Sequence, residues 1–171
     1  MERTVCGSEL KALPESVQRV ARALQAAGHP HLPVMLDDAA RTAQQAADAL
    51  GVQVGQIAKS IIFRRKEDDA AVLVITSGDR RVDEKKVAAK VGRIGRADAE
   101  FVRQRTGFAI GGVSPVAHAT PAVTLIDREL FRFDEIWAAA GHPHGVFKLR
   151  PDDLVHLTGA PVADIDQAMV S

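Results

Sequence analysis

Residues 59–63, KSIIF, and residues 71–76, AVLVIT, are two β-branched runs separated by the polar stretch RRKEDD of residues 64–69. Two such runs around a charged turn read as an antiparallel hairpin. Upstream, Leu13, Val17, Val20, Ala21 and Leu24 repeat at the spacing of a helix face from Pro14 onward, with Gly28 as the stop. Residues 32–36 read as a short strand. Asp38 is placed to cap a helix whose Ala40, Ala43, Ala47 and Leu50 share a face before Gly51. Downstream, Asp83 can cap a helix carrying Val87, Ala88 and Val91, and residues 97–106 form another with Phe101 and Val102 inward and Gly107 behind it.

Past Gly107 the texture changes. Residues 108–121 hold two adjacent glycines and two prolines and show no helical period, so they read as a loop. Strands are expected at residues 122–126, 133–139 and 146–149, then a helix opened by Pro151 and stopped at Gly159, then an edge strand at residues 161–165. Several strand pairs are joined by turns too short for a crossover helix. The expected architecture is therefore α/β with a mixed sheet.

At 171 residues the chain fits a single domain, residues 1–171. With 46% hydrophobic and 26% charged residues, the composition excludes disordered, collagenous and disulfide-scaffold classes. The single cysteine, Cys6, cannot form an internal disulfide. No apolar run approaches the roughly 18 residues of a membrane helix. Met1 to Leu10 lack the order of a signal peptide, so the cytoplasm is the expected compartment, with no membrane partner. The net charge is zero, yet residues 59–105 carry 13 Lys and Arg against 8 Asp and Glu, a local excess of +5. That region can meet phosphates weakly or form solvated helix faces.

The candidate chemistry narrows by elimination. Two His-Pro-His triplets, residues 29–31 and 142–144, invite a metal, but neither a His-Glu-x-x-His framework nor a cysteine pair accompanies them, so no metal is expected. Cys6 reads as a spectator thiol. No phosphate-cradling Gly-x-x-x-x-Gly-Lys loop exists, and Ser114, in Gly112-Val113-Ser114-Pro115, lacks the nucleophile elbow of a serine hydrolase. Two features survive. Lys59 opens an apolar strand and is followed by Ser60; it can project toward an anion or serve as a strand-edge gatekeeper. The loop Gly111-Gly112-Val113-Ser114-Pro115 can bring bare backbone close to a ligand or merely connect two elements.

Taken together, Ile57-Ala58-Lys59-Ser60, Ser77-Gly78-Asp79-Arg80-Arg81-Val82-Asp83, Thr106-Gly107-Phe108 with Gly111 to Pro115, and Ile126-Asp127 resemble the YbaK/EbsC family of aminoacyl-tRNA deacylases. That family is similar also to the editing domain inserted in bacterial prolyl-tRNA synthetase. The likeness runs over residues 36–164, with residues 1–35 as an N-terminal helix and strand. It implies a YbaK-like, barrel-like mixed sheet flanked by helices. It also implies hydrolysis of mischarged aminoacyl-tRNA, typically tRNA(Pro) bearing a small wrong amino acid such as alanine, cysteine or 2-aminobutyrate. No metal or organic cofactor is implied. The partners would be the acceptor end of aminoacyl-tRNA and, through the shared task, prolyl-tRNA synthetase.

By the same resemblance, Lys59 would bind the terminal phosphate or ribose. The backbone of Gly111, Gly112, Val113, Ser114 and Pro115 would hold the aminoacyl group. Asp127 would grip the amino group or support the loop, and His144 falls near a functional histidine of the synthetase-inserted domain. Alanine-directed members carry asparagine after the lysine, whereas this chain has Ser60, which opens the choice to other small amino acids. An activated ester needs orientation, oxyanion stabilisation and water rather than a strong base. That suits a substrate-assisted route through the 2′-hydroxyl. The alternative is a non-catalytic tRNA- or nucleotide-binding or regulatory module of the same fold.

Overall fold

The computed structural model describes residues 13–37 and 40–168. Cys6 and the cap assigned to Asp38 lie outside the described residues. Helix α1 (Glu15–Ala26) turns Val17, Val20, Ala21 and Leu24 into the core, as its apolar spacing requires. Helix α2 (Ala43–Leu50) starts later than its alanine periodicity suggests, because Thr42 supplies the N-cap and closes a capping box with Gln45. The hairpin is formed by β2 (Ile57–Arg65) and β3 (Ala71–Ser77), paired antiparallel over seven positions. Asp83 and Asp98 cap α3 (Glu84–Val91) and α4 (Ala99–Thr106), and Pro151 opens α5 (Pro151–Thr158).

The remaining strands are β1 (Val34–Met35), β4 (Arg80–Val82), β5 (Ile94–Arg96), β6 (Val123–Asp127), β7 (Ile136–Ala139), β8 (Gly145–Leu149), β9 (Val162–Ala163) and β10 (Asp166–Ala168). The main sheet runs β1-β8-β7-β2-β3-β6-β9, with β5 also on β2. It is mixed, since β2–β7, β3–β6 and β6–β9 are parallel and the other pairs antiparallel. A mixed sheet flanked by helices is what the resemblance implied; the sheet does not close into a barrel. Its path ends at two-residue strands, β1 and β9, which do not pair with each other. A separate ribbon joins β10 to β4, a pairing that the sequence reading missed.

Strand β3 is buried at every position and divides two apolar layers. Leu73 and Ile75 face the larger core, with α1, Val102, Phe108, Val113, Ile126, Phe147 and Leu154. Val72 and Val74 face a smaller one with Val87, Leu125 and Ile165. The period of two continues across the pairing, so Ala58, Ser60 and Ile62 of β2 share the first face and Lys59, Ile61 and Phe63 the second. Among the described residues, no helix is long and apolar enough to cross a membrane.

Candidate active site

Strand β2 meets β7 only at Ile57 and Ala58, and meets β5 only at residues 63–65. Between those contacts, the edge of residues 59–62 has no neighbouring strand. The sheet therefore splits there, and the loop after α4 closes over the split. Gly107, at φ +81°, ends α4 in the left-handed conformation that glycine adopts without a Cβ penalty. Beyond it, the Gly112 N–H donates to the Ala109 carbonyl at 3.0 Å and turns the chain back.

Two cavities open along the split and share Ser60, Ile61, Gly111 and Val113 in their walls. The smaller, about 300 Å³, is bordered also by Lys59, Arg41, Trp137 and Pro143. The larger, about 400 Å³, is bordered also by Ile62, Phe63, Val102, Glu84 and Arg96. Lys59 borders the smaller cavity with Gly111 and Val113, though without Gly112. Small-molecule sites commonly occupy about 300–1,000 Å³, so these spaces are of ligand size.

Lys59 is half-buried, and its ammonium donates to the Arg80 carbonyl at 3.0 Å. Burial lowers its pKa below that of an ordinary lysine, against the opposing pull of Asp79 and Asp127. The resemblance motif from Ser77 to Asp83 serves mainly to build this corner. A Cβ on Gly78 would lie 2.2 Å from the Val54 carbonyl oxygen, so only glycine lets the β3–β4 turn press on the Val54–Gln56 turn. Arg132 grips Asp79 with two bonds, 2.7 and 3.1 Å long, and this pairing holds the Asp79 carboxyl below the usual range.

The other expected site residues divide. Ser60 and Val113 border both cavities, and Gly111 stands exposed at their mouth. Gly112 borders neither; a Cβ there would meet the His142 main chain at 2.9 Å, so this glycine serves contact between two loops. Ser114 is fully buried, accepts from the Val116 N–H at 3.2 Å and faces neither cavity, and Pro115 is buried beside it. Asp127 is also fully buried. Its carboxylate accepts from the Thr76 hydroxyl at 2.8 Å and from the Ser77 and Glu129 N–H groups at 3.3 and 3.0 Å. Of the two roles weighed for it, this geometry fits support of the turn at Arg128–Arg132. His144 lies near the Ala40 carbonyl, 3.2 Å from Nδ1, while its neighbours Pro143 and Gly145 border the smaller cavity.

Arg41, Trp137, Glu84 and Arg96 were not anticipated as cavity residues. Trp137 is the only tryptophan of the chain and falls within an expected strand, which was the available signal. The arginines carried none, because the fold brings Arg41 to the smaller cavity and Arg96 to the larger from segments remote from β2 in sequence.

Against this geometry, residues 37–157 match the family described as the aminoacyl-tRNA editing domain. The chain belongs to that family. It is 35% identical to YwhH of Bacillus subtilis over 114 residues, covering 66% of this chain and 72% of that protein. It is 26% identical over 126 residues to EbsC of Enterococcus faecalis, named as a candidate Cys-tRNA(Pro)/Cys-tRNA(Cys) deacylase, covering 72% and 76%. A crystal structure of a candidate trans-editing enzyme for prolyl-tRNA synthetase superposes with a TM-score of 0.86 at 42% identity, covering 91% of this chain and 99% of that one.

Proposed function

We propose that this protein is a cytoplasmic hydrolase that removes small non-cognate amino acids from tRNA(Pro) in trans. The observation that carries the reading is the cavity bordered at once by Lys59, Ser60, Gly111 and Val113. Cation and bare backbone meet there, in a chain of the editing family. Lys59 attracts the terminal phosphate or ribose. Gly111 and Val113 close over the acyl group, and the indole of Trp137 offers a face on which the terminal adenine stacks.

Among the described residues, neither cavity wall holds a histidine, cysteine or base-activated serine. Hydrolysis therefore draws on the substrate's own 2′-hydroxyl and on water, with the protein orienting an ester that is already activated. Cavities of this size favour small side chains, and one methylene changes selectivity by only about 1–3 kcal/mol. Names of the relatives support tRNA(Pro) and a partnership of task with prolyl-tRNA synthetase.

The test is a panel of tRNA charged with alanine, cysteine, serine, threonine, 2-aminobutyrate or proline. Release of at least one non-cognate amino acid with prolyl-tRNA left intact is the expected result. Binding without ester loss on every member would instead make the protein a non-catalytic tRNA-binding module.

A further inference from the structure

The direction of each main-chain group on β2 can be read from the hydrogen bonds at its ends. The Arg65 N–H donates to the Ala70 carbonyl at 2.9 Å, so residues 65 and 70 form a hydrogen-bonded pair at the hairpin end. Such pairs alternate along an antiparallel ladder. Phe63, Ile61 and Lys59 therefore turn their N–H and C=O groups toward β3, whereas Arg64, Ile62, Ser60 and Ala58 turn theirs to the opposite edge. The Lys66 N–H bond to the Arg93 carbonyl, 2.8 Å, fits the same phase on the β5 side.

On that opposite edge Arg64 meets β5 and Ala58 meets β7, but Ser60 and Ile62 fall in the split. Among the described residues, no hydrogen bond engages the Ser60 N–H, the Ser60 carbonyl or the Ile62 N–H. The Ser60 hydroxyl is buried and also lacks a partner. Ser60 borders both cavities and Ile62 the larger one. Four polar groups without a protein partner thus converge where a ligand is to bind, although buried polar groups are as a rule paired.

We propose that this edge receives the aminoacyl end of the substrate as it would receive another strand, an assignment that rests on the editing reading. An α-aminoacyl ester carries a nitrogen donor and a carbonyl acceptor on either side of one carbon, as a strand residue does. The Ser60 carbonyl accepts from the α-ammonium. The Ser60 N–H donates to the ester carbonyl, as the partner residue in a hydrogen-bonded antiparallel pair would receive it. Water adds to that carbonyl carbon, and the former carbonyl oxygen becomes the oxyanion that the Ser60 N–H stabilises. The bond to the ribose oxygen then breaks, the ribose oxygen takes a proton derived from the water, and the free amino acid leaves. The substrate must therefore present an unblocked α-amino group.

Amide hydrogen exchange followed by NMR tests the assignment with 3′-alanylamino-3′-deoxyadenosine and its 2-aminobutyryl, cysteinyl and seryl counterparts as stable amide probes. The Ser60 and Ile62 amides are expected to exchange faster than those of Ile61 and Phe63 in the free protein, and the Ser60 amide to slow by at least about tenfold with a probe bound. Unchanged exchange at Ser60 with every probe at millimolar concentration overturns the assignment. In a second arm, Ser60→Pro removes a donor that no ladder bond uses, and is expected to cut kcat by about 10²- to 10³-fold. Tenfold or greater loss on replacing the aminoacyl ester by its α-hydroxyacyl counterpart tests the ammonium contact without altering the fold. Equal rates on the two esters refute that contact. Wild-type turnover of charged tRNA, run alongside, separates the failures, because turnover with an unprotected Ser60 amide refutes this assignment alone.

Discussion

Lys59 reaches from β2 to the start of β4 and donates to the main-chain oxygen of Arg80 at 3.0 Å. The same residue borders the cavity that Gly111 and Val113 also border. Lys59→Ala is expected to lower kcat/KM on charged tRNA by about 100-fold or more, the scale of losing the contact that positions a bound substrate for reaction. Stability should fall by about 1.5–3 kcal/mol, the scale of one hydrogen bond from a charged donor. Steady-state kinetics beside calorimetry check both halves, and unchanged kinetics would remove Lys59 from the site.

Adjacent glycines should respond for different reasons. Gly112→Ala puts a carbon 2.9 Å from the His142 main chain, which cannot yield as a side-chain tip would. A loss of about 1–3 kcal/mol in denaturant unfolding is expected, with activity falling as the loop shifts. Gly111→Ala meets no atom within 4 Å and bears only the strain of φ +90°, about 1 kcal/mol. A larger loss at Gly111 than at Gly112 would contradict this account of the loop.

Asp166 is buried, and its burial together with the neighbouring Asp127 carboxylate pushes its pKa up to about 7. Its folded pKa is thus raised above the unfolded value of about 3.8. The contribution to stability is full below that unfolded value and is lost as pH rises toward about 7. Thermal melts of Asp166→Asn against wild type between pH 4 and pH 8 should show the wild-type Tm losing ground across that window. Parallel curves would refute the shift.

Trp137 is the only tryptophan and borders the smaller cavity. Its emission should therefore change on titration with a stable aminoacyl-adenosine amide, and Lys59→Ala should weaken the apparent Kd. Saturable binding that leaves the emission unchanged would place the ligand elsewhere.

Much of the scaffold was legible because local chemistry and tertiary structure agree. Asp83, Pro151 and the left-handed glycines 107 and 159 mark helix ends directly, whereas Asp98, inside the expected 97–106 helix, is in fact its N-cap. The short strands β4, β5 and β10 were not legible, although those at residues 34–35 and 162–163 were. Residues 80–82, Arg-Arg-Val, show no alternation and pair with β10 only because the turn at Gly78 delivers them there. Lys59 and the glycine bend stood out by residue type, yet which atoms face the cavity depends on strand phase. Ser60 and Val113 border the cavity, while Gly112, Ser114 and Asp127 serve the frame.

The most direct measurement is single-turnover ester loss from tRNA(Pro) charged with 2-aminobutyrate, alanine or cysteine, comparing wild type with Lys59→Ala. The account predicts fast release by wild type from at least one of them, slow release by the variant, and stable prolyl-tRNA in both. Equal rates for the two proteins, or no release above the uncatalysed rate, would contradict it.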